Sequence, residues 1–105
     1  MGGYRTGREE MTQAQQHIIG RLKRWNRVYE GIEIRYAYDI EANFHIVEIG
    51  PEAIRRGNPD YKEEECEFWL EFLELYSCEN LLIDAPSKVN DMSNLLYTNI
   101  PDEEA

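Results

Sequence analysis

Regular alternations of apolar and polar positions divide the chain into elements. From Thr12 onward Ala14, Ile18, Leu22, Trp25 and Tyr29 recur at spacings of four, four, three and four, the period of an amphipathic helix ending near Arg27. Thr12 is placed to cap that helix with Gln15 as its capping-box partner. Arg21, Lys23, Arg24 and Arg27 crowd the last turns, where cations suit the helix dipole. The cluster of Lys23, Arg24 and Arg27 opposite the apolar stripe reads as a solvated face.

From Ile32 the period falls to two. Ile32, Ile34, Tyr36, Tyr38 and Ile40 alternate with Glu33, Arg35, Ala37, Asp39 and Glu41, which predicts a strand with one wet face. Ala42 and Asn43 then form a tight loop, in which Asn tolerates the left-handed backbone, and Phe44 to Ile49 returns as the second strand of a hairpin. Alternation does not select a buried face there, because Phe44 and Ile46 compete with Val47 and Ile49. A strand covered on both sides resolves the conflict.

Gly50-Pro51 ends the hairpin, and Pro51 to Gly57 is a loop or a single helical turn. Asn58 caps a second long helix with Pro59 at its first position, running to Ser77. Leu81-Leu82-Ile83 is a short buried strand. Beyond Pro86, Ser87 caps a small helix whose Val89, Met92, Leu95 and Leu96 pack back on the domain. The expected fold is therefore a small α+β single domain, α-β-β-α-β with a short C-terminal helix, its three-stranded sheet packed by two helices. A crossover through the second long helix sets the third strand parallel to the second. The domain is expected over residues 12–98, after a leader at 1–11 without a fold of its own and before a frayed acidic tail at 99–105.

Composition agrees with one globular domain: 105 residues with 42% hydrophobic content support a single modest core. The longest apolar run of the second helix, Phe68-Trp69-Leu70, is far short of the ~20 residues that cross a bilayer. Cys66 and Cys78 sit about 18 Å apart along one predicted helix, beyond the ~7 Å a disulfide spans, and no CxxC or Cys/His cluster exists. Buried or half-buried reduced thiols in a cytoplasmic protein follow as the expectation.

Charge changes the picture more. Residues 1–35 carry seven positive and four negative groups, a balance of +3, whereas residues 36–105 carry four and seventeen, a balance of −13. Such asymmetry concerns association rather than fold, and it disfavours nucleic acid as a partner of the acidic part. The densest share of that charge lies on the second helix. There Glu63, Glu67, Glu71 and Glu74, with Glu64 beside them, fall within an arc of roughly 100° that holds no Lys or Arg. Asp60 and Glu63 to Glu65 are accounted for by the helix dipole, but Glu67, Glu71 and Glu74 lie beyond its reach. The apolar side of the same helix spans roughly 220°, wider than one sheet covers, so part of the stripe around Trp69, Phe72 and Tyr76 is a candidate interface.

Catalytic constellations are scarce. His17 flanks the first helix and His45 sits on the second strand, with no nucleophile motif or Gly-rich phosphate loop beside either. The helix glutamates diverge and lack the convergent loop geometry of a calcium or magnesium site, so no metal or cofactor is expected. The leading expectation is a non-enzymatic protein-binding module of the inhibitor, immunity-protein or antitoxin kind. It would meet a basic protein surface through Glu63, Glu67, Glu71 and Glu74 with Trp69, Phe72 and Tyr76. One alternative is a small ligand-binding domain or enzyme with an aromatic pocket of Tyr36, Tyr38, His45 and Trp69. Another is a structural homo-oligomer, a homodimer being its simplest form.

Overall fold

The computed structural model describes residues 11–101. Residues 1–10 and 102–105, on which the expected leader and most of the expected tail fall, lie outside that range. Helix α1 (Gln13–Val28) begins at the capping box. The Gln15 N–H donates to Thr12 Oγ1 at 3.1 Å and the Thr12 N–H donates to Gln15 Oε1 at 3.0 Å, which satisfies two donors the helix cannot pair internally. Its stripe of Ala14, Ile18, Leu22 and Trp25 is buried. The chain turns at Gly31, whose φ of +85° is a conformation glycine adopts without a Cβ clash.

Strands β1 (Glu33–Asp39) and β2 (Phe44–Gly50) form the antiparallel hairpin, with Ile34 opposite Ile49, Tyr36 opposite Val47 and Tyr38 opposite His45. Asn43 takes φ +59° in the turn, and the Ala42 N–H donates to Asp39 Oδ1 at 3.1 Å. A single helical turn, α2 (Glu52–Arg55), follows the hairpin. Gly57 closes it where a Cβ would come within 2.5 Å of the Ala53 carbonyl oxygen, so a side chain there would force the backbone to shift. Helix α3 (Pro59–Leu75) starts with the Tyr61 N–H donating to Asn58 Oδ1 at 3.1 Å and Pro59 in its first turn. Strand β3 (Asn80–Asp84) pairs parallel with β2, as the crossover requires.

The sheet has four strands rather than three, in the order β3-β2-β1-β4, and the expected C-terminal helix is absent from the described residues. In its place β4 (Leu95–Thr98) pairs antiparallel with the free side of β1, Tyr36 opposite Tyr97, across a bulge at Tyr36/Ala37. Two causes act together. Short polar side chains capture the backbone of the intervening segment: the Val89 N–H donates to Ser87 Oγ and the Ser93 N–H donates to Asp91 Oδ1, local bonds that compete with helix formation. The open edge of β1 also offers Leu95 to Thr98 a ladder that a lone helical turn could not match. Asn99 then anchors the chain beyond β4, its Oδ1 accepting from the Ile34 N–H at 2.8 Å and its Nδ2 donating to the Ile32 carbonyl at 2.7 Å.

The helices supply one layer of the core. Ile18, Leu22 and Trp25 of α1 and Tyr61, Phe68 and Phe72 of α3 cluster with Ile34, Tyr36, Val47, Ile49 and Leu81 of the sheet. On the other face the segment between β3 and β4 lies against Glu48, which is itself buried. Glu48 Oε2 accepts from the Ser87 N–H at 3.1 Å and from Asn90 Nδ2 at 2.9 Å. Strand β2 is thus covered on both sides, which is why its alternation selects no single face: it is buried from His45 to Gly50.

Candidate functional site

Helix α3 presents three different surfaces, and its carboxylates are shared unequally among them. Toward α1, Glu64 gathers a set of donors: Tyr29 Oη at 2.9 Å, Trp25 Nε1 at 3.0 Å and Arg24 Nη2 at 3.2 Å, with Arg21 Nη1 at 3.8 Å. Two turns on, Glu71 accepts from Arg21 Nη2 at 3.1 Å and faces His17 Nε2 at 3.7 Å. Burial opposes ionisation of Glu64, but the bonds from Tyr29, Arg24 and Trp25 and the charge of Arg24 outweigh it and hold the carboxyl below its ordinary range. Tyr29 is pushed up to about 12, by burial first and then by its bond to Glu64 and that carboxylate's charge. Arg21 and Arg24 of α1 are therefore partners of the acidic helix, while Lys23 and Arg27 stay exposed as the solvated face expected of them.

Away from the domain, Glu63, Glu67 and Glu74 stay exposed, and among the described residues no cation pairs with them. Leu70 stands in the same ridge with 55% of its surface exposed. Of the aromatic residues assigned to an interface, Phe72 is fully buried in the core. Tyr76 is half-buried, its ring centroid 5.0 Å from Phe72 and 5.6 Å from His17. Trp69 alone of the three reaches the surface, 40% exposed, with its indole N–H donating to the Leu81 carbonyl at 3.1 Å.

That indole belongs to the third surface, a groove of about 620 Å³ between α3 and the outer edge of β3. Phe44, Cys66, Trp69 and Leu82 line it, with Arg55, Lys62 and Glu65 as charged members. Arg55 Nη2 donates to the Ile83 carbonyl at 3.4 Å, so two consecutive outward carbonyls of the edge strand are held by side chains. Arg55 Nε lies 4.0 Å from Glu65 Oε1, too far for a hydrogen bond. Neither atom makes a well-formed hydrogen bond, and nor does the buried Tyr61 hydroxyl beside them, whose ionisation is opposed by burial, then by the charge of Glu65 and by a loose bond to that carboxylate.

His45 occupies a separate, smaller cavity of about 280 Å³, lined also by Tyr38, Asn43, Cys78 and Glu79. The ring is buried, with Nδ1 2.7 Å from Tyr36 Oη and Nε2 2.5 Å from Glu79 Oε1. The neutral ring with hydrogen on Nε2 satisfies both contacts, donating to the carboxylate and accepting from the phenol. Tyr36 is raised well above the usual phenol value by burial and then by Glu79. Tyr36, Tyr38 and His45 thus come together while Trp69 stands at the other groove. Both ring nitrogens are engaged within the chain, so neither faces the cavity unpaired.

Glu79, Arg55, Glu65 and Tyr61 carry this geometry, and sequence reading singled out none of them for a site. Glu79 meets a histidine 34 residues away, a pairing no local spacing signals. Cys66 and Cys78 are both free and exposed, more open than expected. Among the described residues no group of three or more His, Cys, Asp and Glu could hold a metal ion, and no helix is long and apolar enough to cross a membrane. No family model matches the chain, and no curated protein or solved structure matches it either.

Proposed function

We propose that the protein is a non-enzymatic protein-binding module, of the inhibitor, immunity-protein or antitoxin kind, whose contact surface is the outward ridge of α3. The observation that carries this reading is the division of the acidic stripe. Glu64 and Glu71 are consumed by Arg21 and Arg24, whereas Glu63, Glu67 and Glu74 keep their charge in water around the exposed Leu70. Like charges four apart on a helix cost a few tenths of a kcal/mol each, and beyond the dipole contribution of Glu63 no cation among the described residues offsets them. Phe72 and Tyr76 serve packing, and Glu71 serves the α1 contact. The partner surface narrows to the three free glutamates, Leu70 and the rim at Trp69.

Ridge charge favours a basic protein over nucleic acid, and over a second copy of this chain, whose own ridge would repel it. The unpaired Cys66 and Cys78 support a cytoplasmic setting, where thiols stay reduced. The engaged nitrogens of His45 favour binding over acid–base catalysis at the smaller cavity.

Affinity capture from source lysate tests the proposal, with the wild type compared against Glu63→Lys/Glu67→Lys/Glu74→Lys. The expected result is a basic partner held at low salt, released as salt rises past the point where the Debye length falls below ~8 Å, and absent from the triple variant. Capture that is indifferent both to salt and to charge reversal removes the ridge from the mechanism.

A further inference from the structure

Helix α3 carries a second apolar strip on the side away from the core. Cys66 and Leu70 are exposed and Leu73 is half-buried, and Glu63 begins the same line one turn before Cys66. Glu63, Cys66, Leu70 and Leu73 hold the a and d positions of two heptads, with buried Phe68 on the opposite, f side. A surface helix needs only its core-facing stripe, which Tyr61, Phe68 and Phe72 already supply. The second strip is what makes the apolar side of α3 so wide.

Its two flanks differ. Glu67 and Glu74 stand exposed on the e side, whereas Lys62 and Trp69 stand on the g side. Cys66, Trp69, Leu70 and Leu73 ring one hole of the kind that receives a side chain from a facing helix. Past Trp69 the surface continues into the groove toward Phe44 and Leu82, so apolar contact does not stop at the indole. Arg55 and Glu65 face each other at that groove and cancel in charge. Lys62 against Glu63, Glu67 and Glu74 leaves the strip net negative. An extended strand is a poor occupant, because Trp69 and Arg55 already hold the Leu81 and Ile83 carbonyls of the neighbouring edge. A second copy would bring the same negative strip against this one. We infer that the strip receives an amphipathic helix of a basic partner, laid along α3 with its apolar seam over Cys66, Leu70 and Leu73 and its Lys or Arg side chains against Glu67 and Glu74. This rests on the basic partner proposed above and adds the form in which that partner binds. A cation on the partner's other flank meets the exposed indole of Trp69, and the position facing Lys62 calls for a neutral or acidic side chain.

The probe is a synthetic peptide of three heptads with Leu at a and d and Lys at e and g, titrated into the full chain and followed by ¹H–¹⁵N NMR. Two controls keep its charge: the same residues reordered to remove the heptad, and the heptad peptide with Pro at its centre. The expected result is a saturable shift of the Leu70 and Leu73 amides and of the Trp69 indole N–H, with the buried Trp25 indole unmoved. Both controls should bind at least about tenfold more weakly, and so should the heptad peptide on Leu70→Glu, although that exposed substitution adds a negative charge. Equal affinity of the reordered and heptad peptides would overturn the inference and leave the basic-partner reading standing, since charge alone would then account for binding. The inference also fails if no saturable shift develops up to about 1 mM heptad peptide. The same shifts on concentrating the protein alone would overturn it by giving the strip to a second copy. Heptad binding indifferent to Glu67→Lys/Glu74→Lys would overturn the inference and the basic-partner reading together.

Discussion

On the α1 side of α3, Glu64 collects three hydrogen bonds from Tyr29, Trp25 and Arg24. One residue further, Glu65 turns toward Arg55 and β3, where contacts are looser: Arg55 Nε lies 4.0 Å from Oε1, and neither Oε1 nor the Tyr61 hydroxyl beside it makes a well-formed hydrogen bond. The two carboxylates share a helix turn, a chemistry and a similar exposure, with side chains 21% and 24% accessible. What separates them is the supply of donors across from each. Helix α1 and its cap residue Tyr29 meet Glu64 with a phenol, an indole and two guanidiniums, whereas Glu65 faces the Arg55 guanidinium, already committed to the Ile83 carbonyl, and the Tyr61 hydroxyl at loose geometry. A saturated polar cluster fixes the packing of two helices, whereas the looser set of Arg55, Glu65 and Tyr61 holds α3 against the sheet with fewer well-formed bonds.

Truncating each carboxylate puts the largest strain on this contrast. Glu64→Ala strands the Trp25 indole N–H and the Tyr29 hydroxyl in a buried setting and should destabilise the fold by about 2–4 kcal/mol in urea denaturation. Glu65→Ala removes no completed hydrogen bond and should cost under about 1 kcal/mol. Similar losses at the two positions would show that the open cluster closes in solution.

Removing only the charge of Glu64 is the subtler probe. Glu64→Gln keeps the shape and part of the hydrogen bonding, so a loss of about 1–2 kcal/mol is expected near neutral pH. The folded carboxyl is held below its ordinary value of 4.5, so its contribution is complete above that value and fades as pH falls through the lower folded pKa. Wild type and Glu64→Gln should therefore converge in stability on acidification. A gap that persists at acid pH would assign the loss to geometry rather than to charge.

How much of this was legible in the sequence follows the range of the interactions. Thr12 with Gln15 and Asn58 with Pro59 act within one helical turn, and both helix starts could be read from those residues alone. The hairpin at Asn43 and the parallel return of β3 were accessible for similar reasons. Strand β4 was not: Val89, Met92, Leu95 and Leu96 carry a helical spacing, and their true state depends on the open edge of β1 some sixty residues away. The same limit applied to the polar clusters. A basic N-terminal third and an acidic remainder were visible as a charge asymmetry, but nothing local says that Arg24 meets Glu64 across 40 residues or that Arg21 meets Glu71 across 50. The acidic stripe consequently read as divided only by the reach of the helix dipole, when it is Arg21 and Arg24 that divide it between structure and surface.

The finest test of the division uses the two tyrosines that face the two glutamates. Tyr29 donates to Glu64 at 2.9 Å, and Tyr29→Phe deletes one charge-assisted hydrogen bond while the ring contact with Tyr61, at a centroid distance of 5.5 Å, remains available. A loss of about 1–2 kcal/mol is expected. Tyr61→Phe deletes a buried hydroxyl without a well-formed hydrogen bond, so removing it sheds a desolvated polar group and loses little bonding. Its expected effect lies within about 0.5 kcal/mol of zero, on either side. Because both rings keep their edge contacts around Trp25 and each other, the difference between the variants isolates the hydroxyls. If Tyr61→Phe proved as damaging as Tyr29→Phe, the Tyr61 hydroxyl must already hold a partner in solution, and Glu65 is the acceptor nearest to claim it.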